Sequence, residues 1–435
     1  MSDHPEVAPV RRVPATIDLE DATRRPWDAV VVGAGPAGAA VATRLAVRGL
    51  AVLLCDTSEM PRPKLCGCCL SATALAELAR LDALVGTAAA NATPDGMPAG
   101  GLPLERVRLA TAAVTAALPM PRGGVVSREA LDAAGVRRAI AAGSAWLPRT
   151  RVTSLAEQAM GVSVALVAAE PQGNPLPARE ITAGIVIVAA GLTDAIRSPT
   201  GQAGAGRVIS GDSRLGLGTT LPADAGGPPT GELVMAVSQR GYCGVVRLED
   251  GRVDLAAAVD RGLVAAAGGP AAALASLLAA TGGDRAANLA SPLAAGRLAA
   301  ATYRGTPPLT RRRPVASGTG RVLRVGDAAG YVEPFTGEGM GWALVSARLC
   351  AEAVAPLGEP EGRLAADVAA TGIRYARSHG RHFAAHHARC RSVSLVVRRP
   401  WLVGSALRLA RLAPALAAHV VPLVVGGPTS REAHG

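Results

Sequence analysis

The first strong pattern of hydrophobic positions lies near the N-terminus. An unbroken apolar run at residues 29–32 predicts a strand covered on both faces, because a half-exposed strand would alternate apolar and polar side chains. Apolar positions then recur with helical spacing from Ala39 to Leu45, up to Gly49, and a second apolar run covers residues 51–55. This order predicts a strand–helix–strand unit with parallel strands.

Later parts of the chain carry weaker patterns. They predict strands at 105–120, 146–168 and 181–189, a helix capped by Ser127, a hairpin around Asp250 and Gly251, a strand, glycine-rich loop and helix at 321–354, and basic helices at about 360–425. Strand–helix patterns before residue 200 and after residue 320 thus bracket a turn-rich middle. We expect an α/β fold in which a discontinuous Rossmann-type cofactor domain holds an inserted antiparallel β-sheet substrate domain and is followed by C-terminal helices.

The same patterns give domain boundaries. The predicted parts are a flexible N-terminal tail at 1–25, a cofactor domain at 26–100, 121–200 and 315–358, a substrate domain at 101–120 and 201–314, and a C-terminal helical region at 359–435.

Composition narrows the possible partners. The 435 residues are 49% hydrophobic and 18% charged, which indicates a folded chain. Seven cysteines are an odd number, too few for a disulfide scaffold, so we expect reduced thiols and a cytoplasmic location. The net charge is +11, yet four Trp, four Tyr and two Phe offer few stacking platforms, which argues against nucleic acid. The basic and apolar C-terminal region leaves peripheral contact with a membrane open.

A glycine motif follows the first predicted strand. Gly33 permits a tight turn, Gly35 lets a pyrophosphate approach the backbone, and the absence of a side chain at Gly38 lets the helix pack closely on the strand. Asp56 ends the second strand, where its carboxylate can accept hydrogen bonds from ribose hydroxyls. The motif therefore predicts a dinucleotide site without a 2′-phosphate.

A second glycine-rich block lies at residues 325–341. The predicted strand ends at Asp327, whose carboxylate can meet a polyol chain, and a helix begins near Glu338 with its N–H groups free for a ring carbonyl. A dinucleotide that spans both blocks is longer than a nicotinamide cofactor and favours FAD.

These blocks carry a resemblance to a known superfamily. The segments DAVVVGAGPAGAAVATRLAVRGLAVLLCD, VSREALD and RVGDAAGYVEPFTGEGMGWAL resemble the FAD-dependent oxidoreductases that include p-hydroxybenzoate hydroxylase, the geranylgeranyl reductases and the flavin-dependent halogenases. RPKLCGCCLS at 62–71 is similar to the Lys-x-Cys-Gly-Gly-Gly-Leu loop of the geranylgeranyl reductase branch, with Cys68 and Cys69 in place of two glycines. All matching blocks lie on the cofactor side, so the resemblance says nothing of the substrate domain.

The resemblance implies FAD as the cofactor, with NAD(P)H as a transient electron donor. It implies these FAD contacts: Gly33, Gly35, Pro36, Ala37, Gly38 and Asp56 for the ADP half, Arg128 for a phosphate or ribose, Gly326 and Asp327 for the ribityl part, and Gly337, Gly339 and Met340 for the flavin ring. Cys66, Gly67 and Cys68 are implied on another side of the ring, as loop candidates for the chemistry. An alternative for Arg128 is an exposed arginine early in its helix.

Two clusters of potential ligands have competing interpretations. The spacing Cys66-Gly67-Cys68-Cys69 lacks the Cys-x-x-Cys pattern of zinc sites, so a loop of small residues or a flavin-coupled dithiol is expected instead of a metal. His382, His386 and His387 lie among arginines, which favours a solvated basic helix face over a metal site.

The predicted function is that of an FAD-dependent oxidoreductase acting on a hydrophobic polyketide, phenolic or isoprenoid substrate. The predicted reaction is monooxygenation with O₂ through a C4a-hydroperoxide of the reduced flavin, because this is the commoner activity in the superfamily. The alternative, which the CGCCL loop favours, is reduction of a carbon–carbon double bond. A redox partner or carrier-docking module is an alternative of another class. No acid or base is evident from the sequence.

Two departures from the family patterns bear on this choice. The Asp-Gly motif of the hydroxylase branch is Ala190-Gly191 here, with Asp194 where that branch has Ser, so a different NAD(P)H contact or a separate reductase is an open alternative. The Trp-x-Trp-x-Ile-Pro signature is absent and Lys64 lies in the loop beside the flavin, which disfavours halogenation.

Overall fold

The computed structural model describes residues 9–86, 97–169, 177–193, 196, 208–280, 292–317, 320–333, 335, 337–354 and 368–412. The described helices are α1 Leu19–Thr23, α2 Pro36–Ala46, α3 Ala72–Val85, α4 Arg128–Ala141, α5 Leu263–Ala266, α6 Pro270–Ala279, α7 Pro292–Ala300, α8 Gly339–Val354, α9 Val368–Val397 and α10 Pro400–Leu412. The described strands are β1 Trp27–Val32, β2 Val52–Cys55, β3 Cys69–Leu70, β4 Leu102–Ala110, β5 Thr115–Val125, β6 Ala145–Leu147, β7 Thr150–Gln158, β8 Gly161–Ala168, β9 Arg179–Val188, β10 Val208–Ile209, β11 Leu215–Leu221, β12 Glu232–Ser238, β13 Gly241–Arg247, β14 Val253–Val259, β15 Arg304–Pro308, β16 Arg311–Arg312, β17 Ala316–Ser317, β18 Val322–Arg324 and β19 Gly330–Tyr331.

The first large sheet has a parallel centre. Its strands lie in the order β17-β18-β9-β1-β2-β6, and β8 and then β7 extend from β9 as an antiparallel meander. In the central register Val30 lies between Leu53 and Val186. Helices α2, α4 and α8 cover one face, while the meander covers the other. Both faces are therefore buried, which explains the unbroken apolar runs and confirms the predicted strand–helix–strand unit.

The second large sheet is mostly antiparallel and has the order β15-β11-β14-β13-β12-β4-β5-β3. Its one parallel pair among the described strands is β4 with β12. The predicted hairpin is confirmed: β13 and β14 pair from Arg247 and Val253 onward, and Gly251 has φ 82° in the turn between them. Strand β5 continues to Val125, beyond the predicted boundary at residue 120, and pairs there with β3. This pairing attaches the cysteine loop to the second sheet.

The N-terminal segment differs from the predicted loose tail. From residue 9 onward it packs on the first domain: Val13 is buried and pairs with Met60, and α1 has Asp18 as its N-cap, with Ala22 buried beneath it. The segment is mostly polar, so its few apolar contacts were not predictable from its composition. Residues 1–8 lie outside the described part.

The C-terminal region is helical in its described part, as predicted. Helix α9 packs on α8, and α10 packs on β5 of the second sheet. None of the helices described has both the length and the apolar character that a bilayer crossing requires. The most apolar C-terminal stretch, residues 412–427, lies outside the described residues apart from Leu412.

The parallel sheet should dominate stability. We predict that Leu54→Ala, which empties a fully buried site on β2, lowers the free energy of unfolding by about 2–5 kcal/mol. The matched control is Leu84→Ala on α3, where the side chain is 44% exposed and the cost stays within about 0.5 kcal/mol. Chemical denaturation of both variants measures the difference. Equal losses would contradict the assignment of Leu54 to the core.

Candidate functional site

The turn between β1 and α2 is built around two glycines that cannot carry a side chain. Gly33 has φ 102°, and a Cβ there would lie 2.5 Å from the Ala189 carbonyl oxygen. A Cβ at Gly38 would lie 1.8 Å from the Gly33 oxygen. Neither residue lines the cavity described below. Their contribution is to bring the N-terminus of α2 close to the end of β1.

Gly35 is different, because its missing side chain leaves open space. It is the N-cap of α2, with Pro36 as the first helical residue. A Cβ there would be 3.6 Å from Nη2 of Arg128 and 4.0 Å from Nη2 of Arg62. The helix N-terminus and two guanidinium groups thus face one gap, which is the chemistry that an anionic group such as a pyrophosphate requires.

A buried charge network surrounds this gap. Arg128, at the first turn of α4, donates two hydrogen bonds of 3.0 and 2.9 Å to Asp132, and Arg62 lies 3.5 Å from Asp56 and 3.7 Å from Asp132. Arg128 is only 6% exposed, so its alternative interpretation as an exposed helix residue is wrong. Burial opposes its charge, but the Asp132 carboxylate and the Cys66 sulfur together hold the pKa of Arg128 above its ordinary value.

Asp56 holds the glycine turn from the end of β2. Its Oδ2 accepts a hydrogen bond of 2.8 Å from the Ala34 N–H, and its Oδ1 accepts one of 2.9 Å from the Ser58 N–H. Like Gly33 and Gly38, Asp56 does not line the cavity. The structure therefore shows a positioning role for Asp56, and its ribose contact stays a prediction.

Lys64 and Asp327 face each other across the cavity wall. Burial raises the pKa of Asp327, against the opposing charges of Lys64 and Arg128. Burial and the charges of Arg128 and Arg62 lower the pKa of Lys64. Strand β18 ends at Arg324, before the predicted position, and Asp327 lies in the following 3₁₀ turn, Gly326–Ala328.

The second glycine-rich block leads into α8. Gly337 has φ 72° and precedes the first residue of the helix, Gly339, as predicted. Between them the buried Glu338 accepts hydrogen bonds of 2.6 and 2.8 Å from Nη2 of Arg389. This ion pair fastens α9 to the start of α8, whose first residues, Gly339 and Met340, line the cavity.

The cysteine loop brings two thiols of opposite character together. A hydrogen bond from Cys68 lowers the pKa of Cys66 to about 6, with further support from Arg128 and with burial opposing. The same hydrogen bond, burial and the Asp254 carboxyl group raise the pKa of Cys68. Burial raises the pKa of the neighbouring Cys69 far above its ordinary value. Cys66 is therefore the thiol that ionises near neutral pH.

One cavity of about 1030 Å³ joins these features. The predicted site residues that line it are Gly35, Pro36, Ala37, Cys66, Gly67, Cys68, Arg128, Gly326, Asp327, Gly337, Gly339 and Met340. Two segments far apart in the chain, the first turn and the block at 325–341, thus meet at one site. The volume is at the upper end of the range for cofactor and ligand sites.

The rest of the cavity wall is mostly apolar, with polar side chains such as Arg122, Arg304, Thr306 and Ser392 among its lining, and it was not predicted residue by residue. It is formed by the second sheet and by the two C-terminal helices, with Val107, Leu109, Leu118, Leu233, Met235, Tyr242, Phe335, Val393, Val397, Val403 and Leu407. The Tyr242 and Phe335 rings meet edge to face, with centroids 5.0 Å apart. Alternation along β4 was the available signal for Val107 and Leu109, whereas no alternation marked the residues of β12 and no sequence signal marked Tyr242.

The histidines of α9 form a packed cluster, contrary to the predicted solvated face. The His387 ring stacks on Phe383 with centroids 5.7 Å apart and meets the Trp342 ring at 5.4 Å. Burial lowers the pKa of His387 to about 4. The neighbouring arginines favoured the prediction of a hydrated surface. In the structure His387 instead packs against aromatic side chains, Trp342 on α8 and Phe383 on α9.

Comparisons with known proteins give a short sequence match and a long structural one. No family model matches the sequence. A menaquinone reductase of Mycolicibacterium smegmatis is 52% identical over 54 residues, and one of Mycobacterium tuberculosis is 54% identical over 54 residues. In each case the match covers 12% of this chain and 13% of the relative.

Solved structures resemble the whole fold. The flavin-dependent brominase Bmp2 has a TM-score of 0.67 at 17% identity, covering 93% of this chain and 94% of that one. The chondrochloren halogenase CndH, described as a variant of FAD-dependent halogenases, has a TM-score of 0.66 at 19% identity, covering 94% and 95%. These similarities confirm the predicted α/β fold with a Rossmann-type domain. The geranylgeranyl reductase branch stays a prediction.

The cysteine loop generates a prediction for pH dependence. Because the pKa of Cys66 is lowered to about 6, its thiolate form prevails above that pH and declines below it. Alkylation of Cys66 by iodoacetamide, followed by peptide mass spectrometry from pH 5 to 9, should therefore show a midpoint near 6. In Cys68→Ala the donor is lost and the midpoint should rise. An unchanged midpoint in this variant would refute the role of the Cys68 thiol.

Proposed function

We propose that this protein binds FAD and uses it to reduce a carbon–carbon double bond of an apolar, isoprenoid-type substrate. The observation that carries the proposal is one continuous cavity. One end is a charged cradle for a dinucleotide, formed by Gly35, Arg128 and Asp327, and the other is an aliphatic chamber with Val107, Val397 and Leu407 in its wall. The local match to menaquinone reductases supports reduction over oxygenation, because its identity of 52–54% is far higher than that of the halogenase structures.

The residues at the charged end fit FAD. The open face of Gly35, the N-terminus of α2 and the Arg128 guanidinium suit a pyrophosphate, and Asp327 suits the hydroxyls of a ribityl chain. Gly337, Gly339 and Met340 would meet the flavin ring at the start of α8. When bound, FAD supplies the transfer of two electrons that the protein side chains cannot perform. The chain supplies orientation, charge balance and exclusion of water.

The apolar side chains that line the aliphatic chamber support an apolar class of substrate. The chamber walls offer branched side chains from the second sheet and from α9 and α10, such as Val107, Val397 and Leu407, although Arg122, Arg304 and Thr306 also line the cavity. Burial of an apolar chain against such walls yields about 25 cal/mol for each Å² removed from water. Polyprenyl chains have this character.

Helix α10 is suited to the collection of such a substrate from a lipid surface. It exposes Trp401 and Leu412, at 68% and 83%, beside the exposed Arg408 and Arg411. The same helix lines the chamber through Val403 and Leu407. An apolar helix face edged by arginines is the usual pattern of peripheral contact with anionic membranes.

Halogenation is not proposed, although the fold is shared with halogenases. Lys64 is the single lysine of the chain, and it lies beside Gly191 and Asp327 at the charged end of the cavity, 3.5 Å from the Cβ position of Gly191. We therefore assign Lys64 to the charged end of the cavity and not to the aliphatic chamber. The electron donor stays open between NAD(P)H and a separate reductase, since Ala190 offers no carboxylate and Asp194 lies outside the described residues.

The cofactor assignment gives a test of single residues. We predict that Asp327→Ala weakens FAD binding at least about tenfold, because loss of a hydrogen bond to a charged group costs about 1.5–3 kcal/mol. Cys68→Ser should leave FAD affinity close to that of the unaltered protein. Fluorescence titration of the apoprotein measures both. Equal affinities in the two variants would place the ribityl contact elsewhere.

The reaction is tested with the FAD-loaded protein and a menaquinone in detergent micelles. With flavin reduced by stoichiometric dithionite under anaerobic conditions, and with any quinol reoxidised to the quinone in air before analysis, we expect a gain of two hydrogens that persists by mass spectrometry, with the flavin reoxidised in step. With NAD(P)H and O₂, a product heavier by one oxygen atom would instead establish monooxygenation. Absence of any turnover with a firmly bound FAD would favour a redox partner or carrier-docking module.

A further inference from the structure

The loop between β2 and α3 places Cys66 and Cys68 in the cavity wall, with Gly67 between them in the chain. Cys68 has φ 54°, a conformation that favours glycine, and its backbone carbonyl accepts a hydrogen bond of 3.0 Å from the Val126 N–H. A side chain in such a conformation carries a conformational cost, so a thiol at this position calls for a reason beyond packing. Cys66 remains partly exposed to the cavity, whereas Cys68 is buried behind it.

The two thiols are asymmetric in charge. The Cys68 Sγ donates a hydrogen bond of 3.8 Å to the Cys66 backbone carbonyl, and interactions with the Cys68 thiol and the Arg128 guanidinium favour the thiolate form of Cys66. Cys68 also lines the cavity but is buried, and its interaction with Cys66, burial and the Asp254 carboxyl group raise the pKa of its thiol. This arrangement separates an exposed nucleophile from a buried thiol that can resolve a mixed disulfide.

A buried carboxyl group, that of Asp254, interacts with both thiols. Asp254 on β14 is 6% exposed, and its Oδ1 accepts a hydrogen bond of 3.3 Å from the Thr220 hydroxyl. Its Oδ2 is buried without a hydrogen-bond partner in the part of the chain that the structure describes. Burial and the Cys66 sulfur raise the pKa of Asp254, and the Cys68 thiol is among the groups that interact with it. This carboxyl group is thus positioned to exchange a proton with Cys68.

We propose that Cys66, Cys68 and Asp254 form a thiol–disulfide redox centre in the cavity wall, with an organic disulfide as the co-reactant. The Cys66 thiolate attacks one sulfur of the co-reactant, the S–S bond breaks, and the first thiol leaves. In the mixed disulfide Cys66 no longer carries a charge, and the ionised form of Asp254 accepts the Cys68 proton. Cys68 attacks the Cys66 sulfur, and the second sulfur leaves as a thiolate that takes this proton from Asp254. The two protein thiols lose two electrons, which reduce the co-reactant to two thiols. This inference does not depend on the substrate proposed above.

The test uses the FAD-loaded protein and 2-hydroxyethyl disulfide under anaerobic conditions. After quenching, alkylation in denaturant and peptide mass spectrometry should find Cys66 and Cys68 joined, while Cys69 remains a free thiol. In Cys68→Ala the reaction should stop at a mixed disulfide on Cys66. The matched control Cys69→Ala should behave like the unaltered protein. A persistent mixed disulfide in the unaltered protein, or a bond from Cys66 to Cys69, would overturn the proposal.

The role of Asp254 has its own readout. Asp254→Asn keeps the size of the side chain and removes its capacity to accept a proton, so closure of the disulfide at pH 7 should slow at least about tenfold. The difference should shrink as the pH approaches the range in which Cys68 ionises unaided. Asp250→Asn, in the exposed turn of the same hairpin, is the control. An unchanged closure rate in Asp254→Asn would exclude Asp254 from the centre.

Discussion

The charge of Arg128 is buried, and the site is arranged around its neutralisation. The guanidinium group is fixed by two hydrogen bonds to Asp132 one helical turn away, and it reaches both the open face of Gly35 and the sulfur of Cys66. A buried cation that loses a partner is costly, because nothing else in the interior compensates it. Arg128 therefore ties the glycine turn, α4 and the cysteine loop into one electrostatic unit.

The same loop connects the two large sheets. On one side Arg62 and Lys64 face the charged end of the cavity, and on the other Cys69 enters the second sheet through its pairing with Val125. A shift of the second sheet thus moves the thiols relative to the parallel sheet. The aliphatic chamber and the charged cradle are coupled through about ten residues of chain, which is why they form one cavity.

The sequence was informative where a residue type is dictated by the backbone. The turn at Gly33 and Gly38 was predictable because only glycine fits those backbone contacts. The strands β1 and β2 were predictable from their apolar runs, because both faces of a parallel sheet are covered. Twelve of the predicted contacts line one cavity, although they come from segments up to 300 residues apart, because the glycine motifs specify strand ends that meet at one edge of the sheet.

Long-range packing was not predictable in the same way. The stacking of His387 on Phe383, the buried position of Asp254 and the chamber lining from α10 depend on elements that meet only in the folded chain. For His387 the local composition was misleading, since neighbouring arginines predicted a hydrated face. The ordered segment from residue 9 follows the same rule, because Val13 is buried by its distant contact with Met60.

Arg128 also makes the proposed cofactor site and the thiols interdependent. A pyrophosphate bound at Gly35 would add negative charge near the guanidinium group that stabilises the Cys66 thiolate. Competition for this cation would raise the pKa of Cys66, and by linkage ionisation of Cys66 would weaken binding of the dinucleotide by the same factor. Oxidation of Cys66 to a disulfide would remove the thiolate and leave Arg128 shared between Asp132 and the phosphates. If both proposals hold, the redox state of the loop and the occupancy of the cradle would be thermodynamically coupled through one buried side chain.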